Sequence, residues 1–346
     1  MAAMSTRATP RSEGFRQPAE WLPHRATWLA WPSHADLWKD ALEPARASFV
    51  ELCRALSDEA LEVLVPDEPA ERLAAEALRG LTVRFSRIPF GDIWLRDTAP
   101  IFVTGGNGAA AVVFAFNGWG GKYVLPHDDR VASRIAERTE LPAFRFDRVL
   151  EGGSVEPDGE GTLLTTRQCL LNPNRNPGAG ERELEELLAC SLGAEKVLWL
   201  DQGLLHDHTD GHIDTLARFV APGVVVAMRP SAGDPNREVL EDIVRDLSAM
   251  RDAAGRRLEV LVVPSPGLVE GDDARPMPAS YVNFYIGNRA VVVPTYGSPY
   301  DDEAVERIGA VFPGRRTVGV PAKAILTGGG AFHCITQQEP RTEGAS

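Results

Sequence analysis

One cysteine of this chain stands where a nucleophile could work: Cys334 closes the run Gly328-Gly-Gly-Ala-Phe-His333-Cys334. Glycines let the backbone approach a ligand closely, and a thiol beside them is placed to attack an electrophile. The other three cysteines have plainer surroundings. Cys53 falls on the apolar stripe of a predicted helix, Cys190 lies inside another, and Cys169 sits in Gln168-Cys-Leu-Leu, so all three read as small hydrophobes.

A thiol nucleophile needs a proton carrier. Among the 7 histidines, His212 is flanked by carboxylates in the polar segment His206-Asp-His208-Thr-Asp210-Gly-His212-Ile-Asp214. If that segment is extended, His212 and Asp214 face the same side. A second acid, Asp97, ends the cluster Gly91-Asp92-Ile-Trp94-Leu-Arg96-Asp97, and Pro100 shortly after it stops any helix and leaves a loop. Two carboxylates match the several N–H donors of a planar guanidinium. With Cys334 and His212 they form a set able to cleave a guanidine; the plainer alternative is a surface ion pair between Arg96 and Asp97. Glu151, in Glu151-Gly-Gly-Ser, could steady the imidazole through its second nitrogen, or the motif is only a turn.

The rival chemistry is metal-dependent hydrolysis. His206, His208 and Asp210 alternate as zinc-hydrolase ligands do. Against it, Gly211 stands where the familiar pattern has a second histidine, and no comparable set follows downstream; a polar turn capped by its own aspartates is the structural alternative. Gly118-Trp-Gly-Gly-Lys122 resembles a phosphate loop only faintly, because Tyr123 replaces the required Ser or Thr, so nucleotide binding is set aside.

Composition narrows the partners. A net charge of -13 gives no grip on nucleic acid phosphates and suits a cationic ligand. The 4 scattered cysteines form neither a disulfide framework nor a structural zinc site, which points to a reducing, cytoplasmic setting. The start, Met1 to Glu20, is polar, and no later stretch approaches the roughly 18 apolar residues of a membrane span, so a membrane is not an expected partner. A homo-oligomer is compatible with the sequence, which does not set the number of copies.

Helices and short strands must position these clusters. Helical spacing marks Phe49 to Leu56, Glu71 to Leu78, Arg130 to Glu137, Glu181 to Leu192, Asn236 to Met250 and Asp302 to Phe312. Strands are predicted at Leu61 to Val65, Thr82 to Phe85, Val197 to Leu200, Val224 to Met228, Leu258 to Val263, Ala290 to Val293 and Thr317 to Val320. With 44% apolar residues and evenly spread Gly and Pro, a single α/β domain is expected, either an open doubly wound sheet or a closed ring of repeated modules. Each polar cluster follows a strand, as if separate modules aimed loops at one centre.

With these residues in place the chain resembles the agmatine deiminase family, within the guanidine-modifying enzymes that include bacterial peptidylarginine deiminases. The resemblance rests on Pro18-Ala-Glu-Trp21, Trp94-Leu-Arg-Asp97, Phe116-Asn-Gly-Trp-Gly-Gly121, Glu151-Gly-Gly-Ser, Leu171-Asn-Pro-Asn-Arg-Asn-Pro177, Asp210-Gly-His-Ile-Asp214, Ala279-Ser-Tyr-Val-Asn-Phe284 and Gly328-Gly-Gly-Ala-Phe-His-Cys-Ile-Thr-Gln-Gln338. It implies a fivefold pseudo-symmetric α/β propeller of ββαβ modules, the pentein fold, with no metal or organic cofactor. It further implies Cys334 as nucleophile, His212 as acid and base, Asp97 and Asp214 as guanidinium carboxylates, Glu151 as support for the imidazole, and Trp94, Asp92 and Trp119 beside the substrate. The expected substrate is a small cationic guanidine, agmatine first, with free or peptidyl arginine and amidino transfer as same-fold alternatives. Residues 17–340 are expected to form the catalytic domain, between a flexible leader, 1–16, and a tail, 341–346. Two departures stand out: Ala99 where Gly is usual, and the His-rich approach to Asp210.

Overall fold

Some of the β-branched runs predicted as strands are apolar on both faces, and a strand of that kind needs cover on both sides. In a computed structural model describing residues 8–106, 108–271 and 274–342, the runs Leu61–Val65, Val224–Arg229 and Ala290–Thr295 receive it, while Val83–Arg87, Glu259–Pro264 and Arg316–Pro321 stay partly exposed. Three strands, β1 (His24–Ala30), β2 (Leu61–Val65) and β3 (Val83–Arg87), come first, joined by helices Leu42–Ala55 and Glu68–Ala77. The second helix starts where the Asp67 side chain accepts the Ala70 N–H, capping an otherwise unsatisfied donor.

Four modules with one plan follow. They are β4 (Ile101–Gly105), β5 (Gly108–Ala115) and β6 (Ala143–Val149); β7 (Glu156–Pro157), β8 (Thr162–Thr166) and β9 (Lys196–Leu200); β10 (Ala217–Ala221), β11 (Val224–Arg229) and β12 (Glu259–Pro264); and β13 (Tyr285–Ile286), β14 (Ala290–Thr295) and β15 (Arg316–Pro321). In each, the first two strands pair antiparallel and the third pairs parallel with the second. A parallel partner requires a crossover, supplied in turn by helices Asp128–Thr139, Glu181–Leu192, Arg237–Ala249 and Asp301–Val311. These helices lie apolar side down, Leu240, Ile243 and Leu247 being buried in the third of them. Each such side chain contributes about 1.5–3 kcal/mol of burial.

The last strand, β16 (Gln337–Pro340), leaves the C-terminal end of the chain to pair antiparallel with β1, setting Trp28 opposite Gln337. With the helix Leu42–Ala55 and β2 it completes a fifth unit of the same plan, to which β3 is an added strand. Five sheets therefore form a ring closed by the two ends of the chain. This is the pentein fold that the family resemblance implied, rather than an open doubly wound sheet.

Every passage from one unit to the next runs through a short turn just ahead of the new unit's first strand. These turns are the helix Leu95–Thr98 before β4, Gly152–Ser154 before β7, Ile213–Thr215 before β10, Asn283 before β13, and Cys334 before β16. Each polar cluster does follow a strand, as expected, and the ring gives those positions equivalent places around one axis.

Two local expectations are corrected. The leader is not wholly loose: Phe15 is buried against the β4–β9 part of the core, and Arg16 exchanges backbone hydrogen bonds with Thr104, because apolar surface there needs a cover. Residues 1–7 of that predicted segment lie outside the described residues. Residues 212–214 are not extended either; His212 precedes a 3-10 turn, Ile213–Thr215. Among the described residues, no helix is long and apolar enough to cross a membrane.

Candidate active site

Cys334, Asp97, Asp214 and His212 come together at the axis, each 6% exposed or less. The Cys334 Sγ lies 3.5 Å from Asp214 Oδ2 and accepts from Asn283 Nδ2 at 3.2 Å. Asp97 Oδ1 lies 3.7 Å from His212 Nδ1 and accepts the Gly153 N–H at 2.9 Å, while Oδ2 accepts the Trp119 indole N–H at 2.8 Å. Gly153 is required at the centre: a Cβ there would come within 2.6 Å of His212 Nδ1, 3.0 Å of Asp97 Oδ1 and 3.1 Å of Asp214 Oδ2.

The cavity above them has a volume of about 440 Å³ and is lined by Cys334, Asp97, Asp92, Trp94 and Trp119 among others. Trp38 stacks on Trp94 at 6.1 Å between ring centroids, and both indoles donate to Asp92. Asp92 thus lines the cavity and holds the aromatic wall through both oxygens. Glycines 328 and 330 let the wall stand close to the thiol, since added Cβ atoms would meet Trp94 at 2.7 Å and 2.8 Å.

Burial sets most of the ionisation here. It pushes the Asp97 carboxyl up to about 6, against the lowering influence of His212. Burial, then the negative charges of Asp214 and Asp97, keep the Cys334 thiol well above its ordinary value. Burial works against a charge on His212, but Asp97, Cys169 and Glu151 outweigh it and hold the proton on well above the usual histidine range. Burial also opposes ionisation of Asp214, yet the hydrogen bond from His333 and the charges of His333, His212 and Arg218 keep its carboxyl below the ordinary value. Asp214 Oδ1, Glu151 Oε2 and both His212 ring nitrogens are buried with no hydrogen-bond partner among the described residues. Of these, the carboxylate oxygens are acceptors that a ligand rich in N–H groups could satisfy, whereas the protonated imidazole offers donors.

Other predicted residues have different partners from those expected. Glu151 accepts from Arg175 Nε at 2.8 Å and lies beside His212, within 4.8 Å, without a hydrogen bond to it. Cys169 is fully buried as its apolar setting suggested, but its sulfur adjoins the same imidazole. The rival metal cluster is not assembled. Asp210 pairs with Arg175 and Lys122, the exposed His208 ring lies against Tyr123, and Asp207 caps the turn by accepting from Thr209, Gly211 and His212. That is the self-capped polar turn. Glu151, Cys169 and His212 are the group of potential ligands drawn together among the described residues, and Arg175 already neutralises its carboxylate.

Residue-by-residue reading passed over Asn283, His333, Glu20 and Arg175. Glu20, Asn283 and Arg175 lie inside quoted motifs, and His333 immediately precedes the nucleophile candidate. Their functional signal is a polar side chain enclosed in otherwise apolar or proline-rich surroundings.

A buried thiol, an imidazole and paired acids at the axis of a five-unit ring define a guanidine-modifying enzyme of the pentein class. The sequence model of the Porphyromonas-type peptidyl-arginine deiminase family matches residues 16–340, and the chain belongs to that family. It is 40% identical to the agmatine deiminase of Ectopseudomonas mendocina, an alignment covering 97% of this chain and 98% of the relative. Its fold superposes on the agmatine deiminase of Enterococcus faecalis with a TM-score of 0.92 at 34% identity, covering 98% of this chain and all of the other. A substrate-bound cysteine-to-serine variant of C. jejuni agmatine deiminase gives a TM-score of 0.85 at 28% identity, over 94% of this chain and 96% of that one.

Proposed function

We propose that this chain is an agmatine deiminase, converting agmatine and water to N-carbamoylputrescine and ammonia. One observation carries the chemistry: a thiol 3.5 Å from one buried acid, with a second acid beside the facing imidazole. Full-length similarity to agmatine deiminases supports the substrate.

Asp97 and Asp214 receive the guanidinium, and its positive charge favours the Cys334 thiolate, whose proton passes to water. The sulfur bonds to the guanidinium carbon. His212 gives its proton to one nitrogen, the C–N bond breaks, and ammonia leaves an S-alkylthiouronium. Neutral His212 then takes a proton from water as the oxygen adds to the same carbon. The C–S bond breaks, the hydroxyl proton is released, and the ureido product departs. Glu151 supports the charged His212 electrostatically from the Arg175 side, and Trp94, Trp119 and Asp92 shape the walls.

The expected partner is a small cationic guanidine, without nucleic acid or membrane, and the four free cysteines suit the cytoplasm. The test is incubation with agmatine, free arginine and a blocked arginyl peptide, following ammonia and ureido product. Quenched turnover should yield an amidino adduct on Cys334 by mass spectrometry. Activity that survives Cys334→Ala and disappears with chelator would refute the mechanism; preference for the peptide would refute the substrate.

A further inference from the structure

Behind the site, an imidazole spans two buried carboxylates. His333 Nδ1 lies 2.7 Å from Asp214 Oδ2, and His333 Nε2 lies 2.9 Å from Glu20 Oε2. Glu20 is anchored in turn by Arg96 at 3.0 Å, by Arg218 at 2.9 Å and by the Ile286 N–H at 2.8 Å. All of these side chains are 4% exposed or less. Because His333 directly precedes Cys334, the contacts close a ring: thiol to Asp214, Asp214 to the His333 side chain, and His333 through one peptide bond back to the thiol.

We propose that His333 and Glu20 are positioning residues for the deimination reaction: their bridge clamps Asp214 Oδ2, the oxygen 3.5 Å from the thiol, and so fixes the carboxylate that receives the guanidinium at a set distance from the nucleophile, its Oδ1 having no partner among the described residues. This rests on the reading of Asp214 as a guanidinium ligand. A carboxylate with both oxygens free could turn about its Cα–Cβ and Cβ–Cγ bonds. Held by one oxygen, it keeps one orientation before substrate arrives, and displacements near 1 Å in such groups cost about a hundredfold in rate.

The bridge has a protonation requirement. A neutral imidazole donates from one nitrogen only, so two contacts to ionised carboxylates need the second ring proton. Glu20 is held well below the ordinary carboxylate range, where Arg218, His333 and Arg96 overcome burial, and Asp214 is lowered too. Burial, then Arg218 and Arg96, outweigh the support of Glu20 and Asp214 and hold the His333 ring below the usual histidine range, so its second proton is lost early as pH rises. The ring faces these four groups, and His212 stands beyond Asp214. Loss of the second proton as pH rises therefore loosens the clamp.

Asparagine can place a donor near the Nδ1 position of histidine, and glutamine one near Nε2. Measured per active site titrated with a haloamidine, His333→Gln should lower kcat/KM for agmatine by about a hundredfold, and His333→Asn by less than about tenfold. Glu20→Gln keeps an acceptor but removes the charge that retains the ring proton, so the alkaline limb of kcat/KM should move to lower pH. Equal losses in the two His333 variants, or unchanged kcat/KM in His333→Gln, would overturn the proposal. If His333→Gln fails to fold, an unmoved limb in Glu20→Gln overturns it alone. Asp214→Asn separates the two readings: full activity there removes the underlying site assignment, whereas an inactive Asp214→Asn beside a normal His333→Gln removes only the bridge.

Discussion

Asn283 and Cys334 are joined twice: the amide of Asn283 donates to Sγ at 3.2 Å, and its side-chain oxygen faces the Cys334 N–H at 3.4 Å. The same oxygen accepts the His333 N–H at 3.1 Å. One side chain therefore holds the Cys334 backbone and offers its sulfur a donor, the contact a thiolate most needs in a site crowded with acids.

Replacing that donor should penalise the thiolate. A hydrogen bond to a charged group contributes about 1.5–3 kcal/mol, so Asn283→Ala should slow alkylation of Cys334 by a haloamidine roughly 10- to 100-fold. Measuring that rate against pH should show the inactivation curve displaced to higher pH. An undisplaced curve would mean that the amide only supports the loop.

Gly153 is a steric probe of the reaction centre. The Cβ of Gly153→Ala would enter the space between His212, Asp97 and Asp214, whose atoms lie 2.6–3.1 Å from it. We expect at least a hundredfold loss of kcat/KM, on the order expected for small displacements of reacting groups, with the circular dichroism spectrum preserved. Wild-type kinetics would show that the guanidinium does not approach this face.

The acid limb of the pH profile should belong to Asp97. Its carboxyl is raised to about 6 chiefly by burial, and the protonated form cannot pair with a cation. Below that value the free enzyme loses a charge needed for binding; above it the charge is present. The kcat/KM for agmatine should therefore climb as pH rises through about 6, until the alkaline limb begins. A profile flat from pH 5 to 7 would contradict this.

Stability should depend on Arg218, which is fully buried. Its guanidinium bonds Glu156 at 2.7 Å and the Phe284 carbonyl at 2.7 Å, and pairs with Glu20 at 2.9 Å. Arg218→Met leaves two buried carboxylates short of a partner and should cost about 3–5 kcal/mol in urea unfolding. Adding Glu156→Gln should recover part of that loss, because it removes one stranded charge. Equal midpoints for wild type and Arg218→Met would show that water or another group replaces the guanidinium.

Much of this arrangement was legible in the residues alone. The predicted runs fall on β2, β3, β9, β11, β12, β14 and β15, because alternation and burial are local properties of a segment, whereas β1, β4 to β8, β10, β13 and β16 were not predicted as strands. Cys334 stood apart from Cys53, Cys169 and Cys190 through its glycine-rich neighbourhood. Harder to read was Glu151: its motif suggested a partner for the imidazole, but the nearer donor is Arg175, placed there by the turn that also binds Asp210. Asp92 was expected beside the substrate, but nothing in the sequence showed that two indoles donate to it.

From the amino acids themselves came the reacting groups, thiol, imidazole and paired carboxylates, because side-chain chemistry travels with residue type. What tertiary structure alone decided was their meeting, and with it the contacts of Asn283, His333 and Glu20. The distances among residues 20, 97, 214, 283 and 334 depend on five units packing around an axis and on β16 closing against β1. Local periodicity records which face of an element is covered; it carries no measure of how far apart remote turns lie once the ring has closed.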